Sequence, residues 1–176
     1  NKKYRQINST VNVLLSSYHQ DAGFVILHSE DIYLFVANGG LDKYENSTIK
    51  PLGTHTHADL LSFELAIGEN DVFVDPGAYI YTANAKANIE FRSTKKHNTI
   101  VIDGKNQYIL DEKNVFIGRN FPSPQYLFID KQNDYEICRG KYQIMIEDNK
   151  KLEHQRTFYL YSNASLLKIE DRIKTT

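Results

Sequence analysis

Short β-rich runs separated by turn-type clusters recur along this chain, and in one of them apolar and polar residues alternate with period two. In 60–67, Phe63, Leu65 and Ile67 alternate with Ser62, Glu64 and Ala66, the pattern of a strand with one face buried. Shorter β-rich runs at 11–18, 24–28 and 32–36 are parted by the turn-type clusters Gln20-Asp21-Ala22-Gly23 and Ser29-Glu30-Asp31, and they predict a meander of three antiparallel strands. Gly68-Glu69-Asn70 predicts a hairpin joining 60–67 to 71–74. From residue 99 strand signals recur at 99–103, 114–117, 126–129, 135–139, 142–147, 152–161 and 165–173, punctuated by Asp103-Gly104, Arg139-Gly140-Lys141 and Asp148-Asn149-Lys150. Only 78–95 departs from this pattern. Across 83–91 Ala, Lys, Asn and Glu dominate and Ile89 is the one β-branched residue, which predicts a loop with a short helix near 83–93. Roughly a dozen short strands at this spacing imply an all-β fold, an antiparallel two-sheet β-sandwich, rather than βαβ units.

Composition narrows the picture. The 176 residues suffice for one domain with a real core. Twelve Tyr and nine Phe without Trp, with frequent Val and Ile, suit sheet better than helical bundle. A net charge of −1 offers nothing to nucleic acid or to an anionic membrane, and no apolar run approaches the roughly 20 residues that cross a bilayer. Cys138 is alone, so no intramolecular disulfide is possible, and it reads as a small buried strand residue. Residues 1–10 are polar and basic and read as a linker from a preceding domain, with the sandwich over 11–176. Without an initiating Met or a signal-like segment, and ending at Lys174-Thr175-Thr176, the chain is expected to be a piece of a longer, exported protein, cut short at its C-terminus. Asn46-Ser47-Thr48 is a glycosylation acceptor only in a eukaryotic secretory setting and carries little weight.

Candidate chemistry gathers in 53–107, which holds three of the six histidines. If 54–58 is extended, His55 and His57 project from one face into one site. Asp75 follows the apolar run Val72-Phe73-Val74 and precedes Pro76-Gly77, so it is expected at the end of a buried strand, where a carboxylate needs a charged partner. His97, ahead of the β-branched run 99–102, can return to the same place on a neighbouring strand. Two imidazoles and a carboxylate suit zinc or another divalent ion, with one position left for water or substrate. Asp59 can join this face or bond backbone amides in its turn, and the second is favoured. Tyr79, Tyr81 and Arg92 flank the site and can contact a sugar. His19, His28 and His154 lack acidic or histidine neighbours at ligand spacing and read as structural or surface groups.

The ordered set Gly-Thr-His-Thr-His-Ala-Asp (53–59), Ser62-Phe63, Gly68, Val-Asp-Pro-Gly-Ala-Tyr (74–79), Phe-Arg-Ser-Thr (91–94), His97-Asn98-Thr99 and Val101-Ile102-Asp103-Gly104 with Gln107 resembles the C-terminal β-sandwich of heparinase II/III-type polysaccharide lyases. His154-x-Arg156 and Ile169-Glu170-Asp171 extend the likeness over most of the chain. The resemblance implies a bacterial periplasmic or extracellular enzyme in which an α/α toroid precedes the sandwich and the two cleave acidic, uronate-containing polysaccharides by β-elimination. It also implies that His57, Asp75 and His97 hold a structural zinc or similar ion, and that His55 faces the substrate cleft in a catalytic role. The toroid would supply the remaining catalytic groups, so the isolated sandwich is expected to be inactive.

Two other readings compete. One is a non-catalytic, metal-stabilised module that binds glycan or packs against another domain. The other is a cupin-like metalloenzyme, whose carboxylate ligand follows the second histidine by four or five residues. Here Leu61 and Ser62 occupy those places, so ligand spacing disfavours it.

Overall fold

The period-two runs form strands wherever one of their faces can be covered by a second sheet. The computed structural model describes residues 15–39, 53–111, 113–146, 150–161 and 166–175. Among these residues the order is β1 (Ser17–His19), β2 (Phe24–His28), β3 (Ile32–Ala37), β4 (Phe63–Ile67), β5 (Asn70–Phe73), α1 (Ala85–Arg92), a 3-10 turn (Thr94–Lys96), β6 (Ile109–Leu110), β7 (Gly118–Arg119), β8 (Ser123–Lys131), β9 (Tyr135–Met145), β10 (Lys151–Tyr161) and β11 (Leu166–Thr175). The expectations for 1–14, for the loop carrying Asn46-Ser47-Thr48 and for the Asp148-Asn149 turn lie outside the described residues.

A five-stranded sheet, β1-β2-β3-β4-β5, faces a four-stranded sheet, β11-β10-β9-β8, and β6 and β7 form a small ribbon. Among the described residues every pairing is antiparallel and one short α-helix occurs, so the fold is the expected all-β sandwich. Between the sheets lie Val25, Leu27, Ile32, Leu34, Val36, Phe63 and Leu65 from one side and Leu127, Cys138, Phe158 and Leu160 from the other. Each such aliphatic side chain, taken fully out of water, contributes about 1.5–3 kcal/mol. Phe63 and Phe158 meet edge to face, 5.5 Å between centroids, and Cys138 is fully buried, which pushes its thiol pKa far up.

Several expected elements take another form. The runs at 135–139 and 142–147 are one strand, β9, which passes straight through Gly140. A Cβ at 140 would stand 2.3 Å from Leu61 Cδ2 and 3.1 Å from Leu127 Cδ1; this glycine is a close-approach residue, not a turn. No strand forms at 99–103. Asp103 and Gly104, both at positive φ (52° and 68°), make a two-residue turn closed by an isolated Ile102–Lys105 bridge. At 114–117 the side chains of Asp111 and Asn114 accept backbone N–H groups of Lys113, Asn114 and Phe116, which replaces the strand ladder with turns. The strand expected over 60–67 begins only at Phe63. Finally, β5 is an exposed edge strand rather than a buried one, with Val72, Phe73 and Val74 all about half exposed.

The second sheet carries an ion-pair network on β10 and β11. Arg156 and Asp171 are directly paired across the strands, and the guanidinium grips the carboxylate with Nε at 2.8 Å and Nη2 at 3.0 Å. His154, fully buried, lies 2.6 Å from the same carboxylate; it is structural, as its sequence context implied. Burial alone would raise the Asp171 carboxyl, but the hydrogen bonds from His154 and Arg156 and the Arg156 charge outweigh it and bring the pKa from 3.8 to about 2. A carboxyl depressed by folding stabilises the fold above its unfolded pKa, and that stability is lost as pH falls from about 4 to about 2. With the Asp171 side chain 27% exposed, solvent screening leaves about 1–2 kcal/mol of pH-dependent stability. Asp171→Asn should therefore be less stable than the parent at pH 7 by about 3 kcal/mol, and the gap should narrow below about pH 4. Urea unfolding followed at pH 7, 4 and 2.5 measures it; a gap independent of pH would contradict this assignment.

Candidate metal centre

The segment from Gly53 to Ser62 is irregular backbone pressed against the sandwich, so its carbonyls must find donors outside a ladder. Arg92, the last residue of α1, serves two of them, at Gly53 and Thr56. Its Nε donates to Thr56 O at 3.0 Å, Nη2 to Gly53 O at 2.6 Å and Nη1 to Val115 O. Tyr108 Oη adds a bond to Thr56 O at 2.5 Å, and Ala58 N donates to Arg92 O at 2.9 Å. Further on, the Gln107 amide clasps both polar groups of Leu60, at 2.7 and 3.0 Å, and Thr99 Oγ1 donates to Leu60 O at 2.9 Å. The helix that ends in Arg92 starts at Asn84, whose side chain accepts from Ala87 N at 3.0 Å.

Because 54–58 is not a strand, His55 and His57 do not project side by side. Their rings meet different partners. His55 is exposed and stacks on Tyr81, with centroids 5.6 Å apart and planes within 5°. His57 is half-buried and lies 5.1 Å, centroid to centroid, from His97. His97 follows the 3-10 turn, not a strand, and its Nδ1 sits 2.5 Å from Asp75 Oδ2. The other Asp75 oxygen accepts Gly77 N at 2.8 Å. One ligand atom from each of His57, Asp75 and His97 lies within 4.8 Å of the other two. The structure thus brings together the three residues expected as ligands.

The electrostatics suit a cation. Burial, together with the neighbouring His97 and outweighing the pull of Asp75, holds His57 below the ordinary imidazole pKa, so its lone pair is free near neutral pH. Burial pushes Asp75 up, but the His97 hydrogen bond, the Gly77 N–H and the two imidazoles bring it below the usual carboxylate range. Neutral imidazole and ionised carboxylate are the protonation states that metal binding needs. His97 Nε2 is buried and without a hydrogen-bond partner among the described residues, a cost that a cation or a proton nearby can offset. Two imidazoles and a carboxylate gathered in this way could hold a metal ion. Asp59 belongs to the same neighbourhood. Burial and Asp75 raise its carboxyl, His97 and its own backbone N–H lower it, and the outcome is about 6; it is not one of the three residues whose ligand atoms cluster.

Of the three residues expected to contact sugar, Tyr79 is 74% exposed and stacks on Phe91 at 4.8 Å, and Tyr81 is half exposed against His55. Arg92 is 3% exposed, with its donors spent on the loop that carries the histidines. Sequence reasoning gave no role to Asn98, Thr99, Gln107 or Tyr108. Asn98, Thr99 and Gln107 stood in the ordered motif set, but their task, bonding irregular backbone, is visible only once that backbone is known.

A sandwich whose one wall carries a metal-competent His-His-Asp cluster beside an exposed histidine and two tyrosines defines the class. The chain belongs to the heparinase II/III-like C-terminal domain family, whose model matches residues 15–176, as the ordered motifs implied. No curated protein matches the chain. No solved structure does either.

If Arg92 serves the loop rather than a sugar, Arg92→Lys should destabilise the chain in the absence of any glycan. Loss of the forked geometry leaves buried carbonyls unpaired, a cost of about 2 kcal/mol, which corresponds to a fall of about 4–8 °C in Tm. An unchanged Tm in a thermal melt would contradict the structural role.

Proposed function

We propose that this domain forms one wall of a polysaccharide lyase active site, cleaving acidic, uronate-containing glycans by β-elimination together with an α/α toroid domain earlier in the same protein. The observation that carries the reading is the split between two neighbouring histidines: His57 turns to Asp75 and His97, and His55 stays exposed against Tyr81. In this reading His57, Asp75 and His97 hold a structural zinc or similar divalent ion. When bound, the ion ties three separate segments together and fixes the wall in register.

The remaining steps fall to side chains. Removing the C5 proton of a uronate requires that its carboxylate charge be offset, that a base reach C5 and that an acid meet the leaving oxygen. His55 stands where it can bond the uronate carboxylate or carry a proton, with its ring plane set by Tyr81. Tyr79 and Tyr81 offer exposed ring faces and hydroxyls to a sugar. Arg92 acts at one remove, through Gly53 and Thr56. Because this wall supplies only part of the set, the sandwich alone turns over near background, since members of a cooperating set are grossly non-additive. A polymeric acidic substrate favours a periplasmic or extracellular location. No helix among the described residues is long and apolar enough to cross a membrane.

The assay is the rise in ultraviolet absorbance from the new unsaturated uronate on heparan sulfate, hyaluronan and alginate. In the full-length protein His55→Ala should lose most activity and keep metal and Tm, and His57→Ala should lose metal and Tm and fail as a consequence. Residues 1–176 alone should stay at background. Full activity in His55→Ala would overturn the catalytic role, and no activity in the full-length protein on any uronate polymer would favour a binding or interdomain module.

A further inference from the structure

Asn98 and Arg156 hold the peptide groups next to Asp75 and His97 and those of Leu61 and Phe63, where the His57 loop enters β4. The Asn98 amide Nδ2 donates to Val74 O and to Phe63 O, each at 3.0 Å. Val74 immediately precedes Asp75, and Phe63 opens β4, the strand that follows the His57 loop. The carbonyl of Asn98, which immediately follows His97, accepts Arg156 Nη1 at 2.8 Å. The same nitrogen donates to Leu61 O at 2.9 Å. Leu61 ends the turn that carries the chain from His57 into β4, and at φ 59° it holds a left-handed backbone that costs about 1–2 kcal/mol for a residue with a side chain. Three segments distant in sequence thus meet at one amide and one guanidinium nitrogen.

The guanidinium is itself fixed. Its other nitrogens are taken by the Asp171 carboxylate, which also bonds His154. Its flat faces lie against Phe63 and Phe158, 5.8 and 5.9 Å from the ring centroids. Arg156 is 5% exposed and grows from the centre of β10, so the rigid second sheet reaches across to set irregular segments belonging to the first.

We infer that Asn98 and Arg156 are positioning residues for the metal centre, setting the spacing of the Asp75 and His97 segments through the peptide groups beside those two residues and of the His57 loop through Leu61 and Phe63 at its far end. The inference rests on the metal reading given above. It adds that the ion's affinity is governed from β10, through Arg156, rather than by the three ligands alone. Outer contacts that orient metal ligands are typically worth 10–100-fold in affinity. A purely structural clamp would instead lower the stability of metal-free and metal-loaded protein equally.

Cobalt(II) titration of the metal-stripped intact protein, read by its visible ligand-field bands and by competition with a chelator, separates these outcomes. The parent should take up one equivalent, and Asn98→Ala and Arg156→Lys should bind about 10-fold more weakly or worse, with altered bands and a smaller metal-induced rise in Tm. Leu160→Ala, about 13 Å further along β10, should lower Tm and leave cobalt affinity unchanged. Should Asn98→Ala fail to fold, Asn98→Ser and Arg156→Lys carry the same expectation. Parent-like affinity in the folded Asn98 and Arg156 variants would overturn the positioning role alone. A parent that takes up no cobalt would overturn the metal reading and this inference with it.

Discussion

Irregular backbone packed against a hydrophobic sandwich has no ladder partner for its carbonyls, and a buried carbonyl left unpaired costs about 1–3 kcal/mol. This constraint governs the functional half of the molecule. The carbonyls of Gly53, Thr56, Leu60, Leu61, Phe63, Val74 and Asn98 are all met by side chains, from Arg92, Tyr108, Gln107, Thr99, Asn98 and Arg156. Side-chain hydrogen bonds take the place of the missing ladder and pin these loops to the sandwich. They can therefore present His55, His57, Asp75 and His97 at fixed positions although none of the four lies in a strand or helix.

The same burial that demands those partners sorts the titratable groups. His57 is kept neutral and Asp75 ionised, and Asp59, two residues after His57, is lifted to about 6 because burial acts on it with less compensation. Two carboxyls in one neighbourhood thus move in opposite directions. The difference is hydrogen bonding: Asp75 receives both His97 and Gly77 N–H, whereas Asp59 has chiefly its own backbone N–H.

The sandwich was legible partly as alternation, in β4, and partly as β-rich runs parted by turn clusters, as in β2 and β3, where alternate burial hides under uniformly apolar sequence. The helix was legible too, through the scarcity of β-branched residues over 83–91. What failed were positions where chemistry beyond the strand period decides. Thr99-Ile100-Val101-Ile102 has strand composition, yet Thr99 is committed to Leu60 O and the turn at Asp103-Gly104 follows at once. Gly140 looks like punctuation but is required by the side chain of Leu61 above it. The ligand set was legible as residue types in order. The parting of His55 from His57 was not legible from spacing, because period two assumes a strand that the loop does not form. Nor could sequence tell a guanidinium turned inward, as in Arg92, from one offered to a sugar.

X-ray absorption at the zinc edge, on the full-length protein purified without chelator or histidine tag, tests the metal-centred account most directly. Nitrogen and oxygen scatterers at about 2.0–2.1 Å, with the outer-shell features of two imidazoles, are the predicted result. A protein with no stoichiometric transition metal, or a bound metal whose spectrum lacks imidazole features, would contradict it.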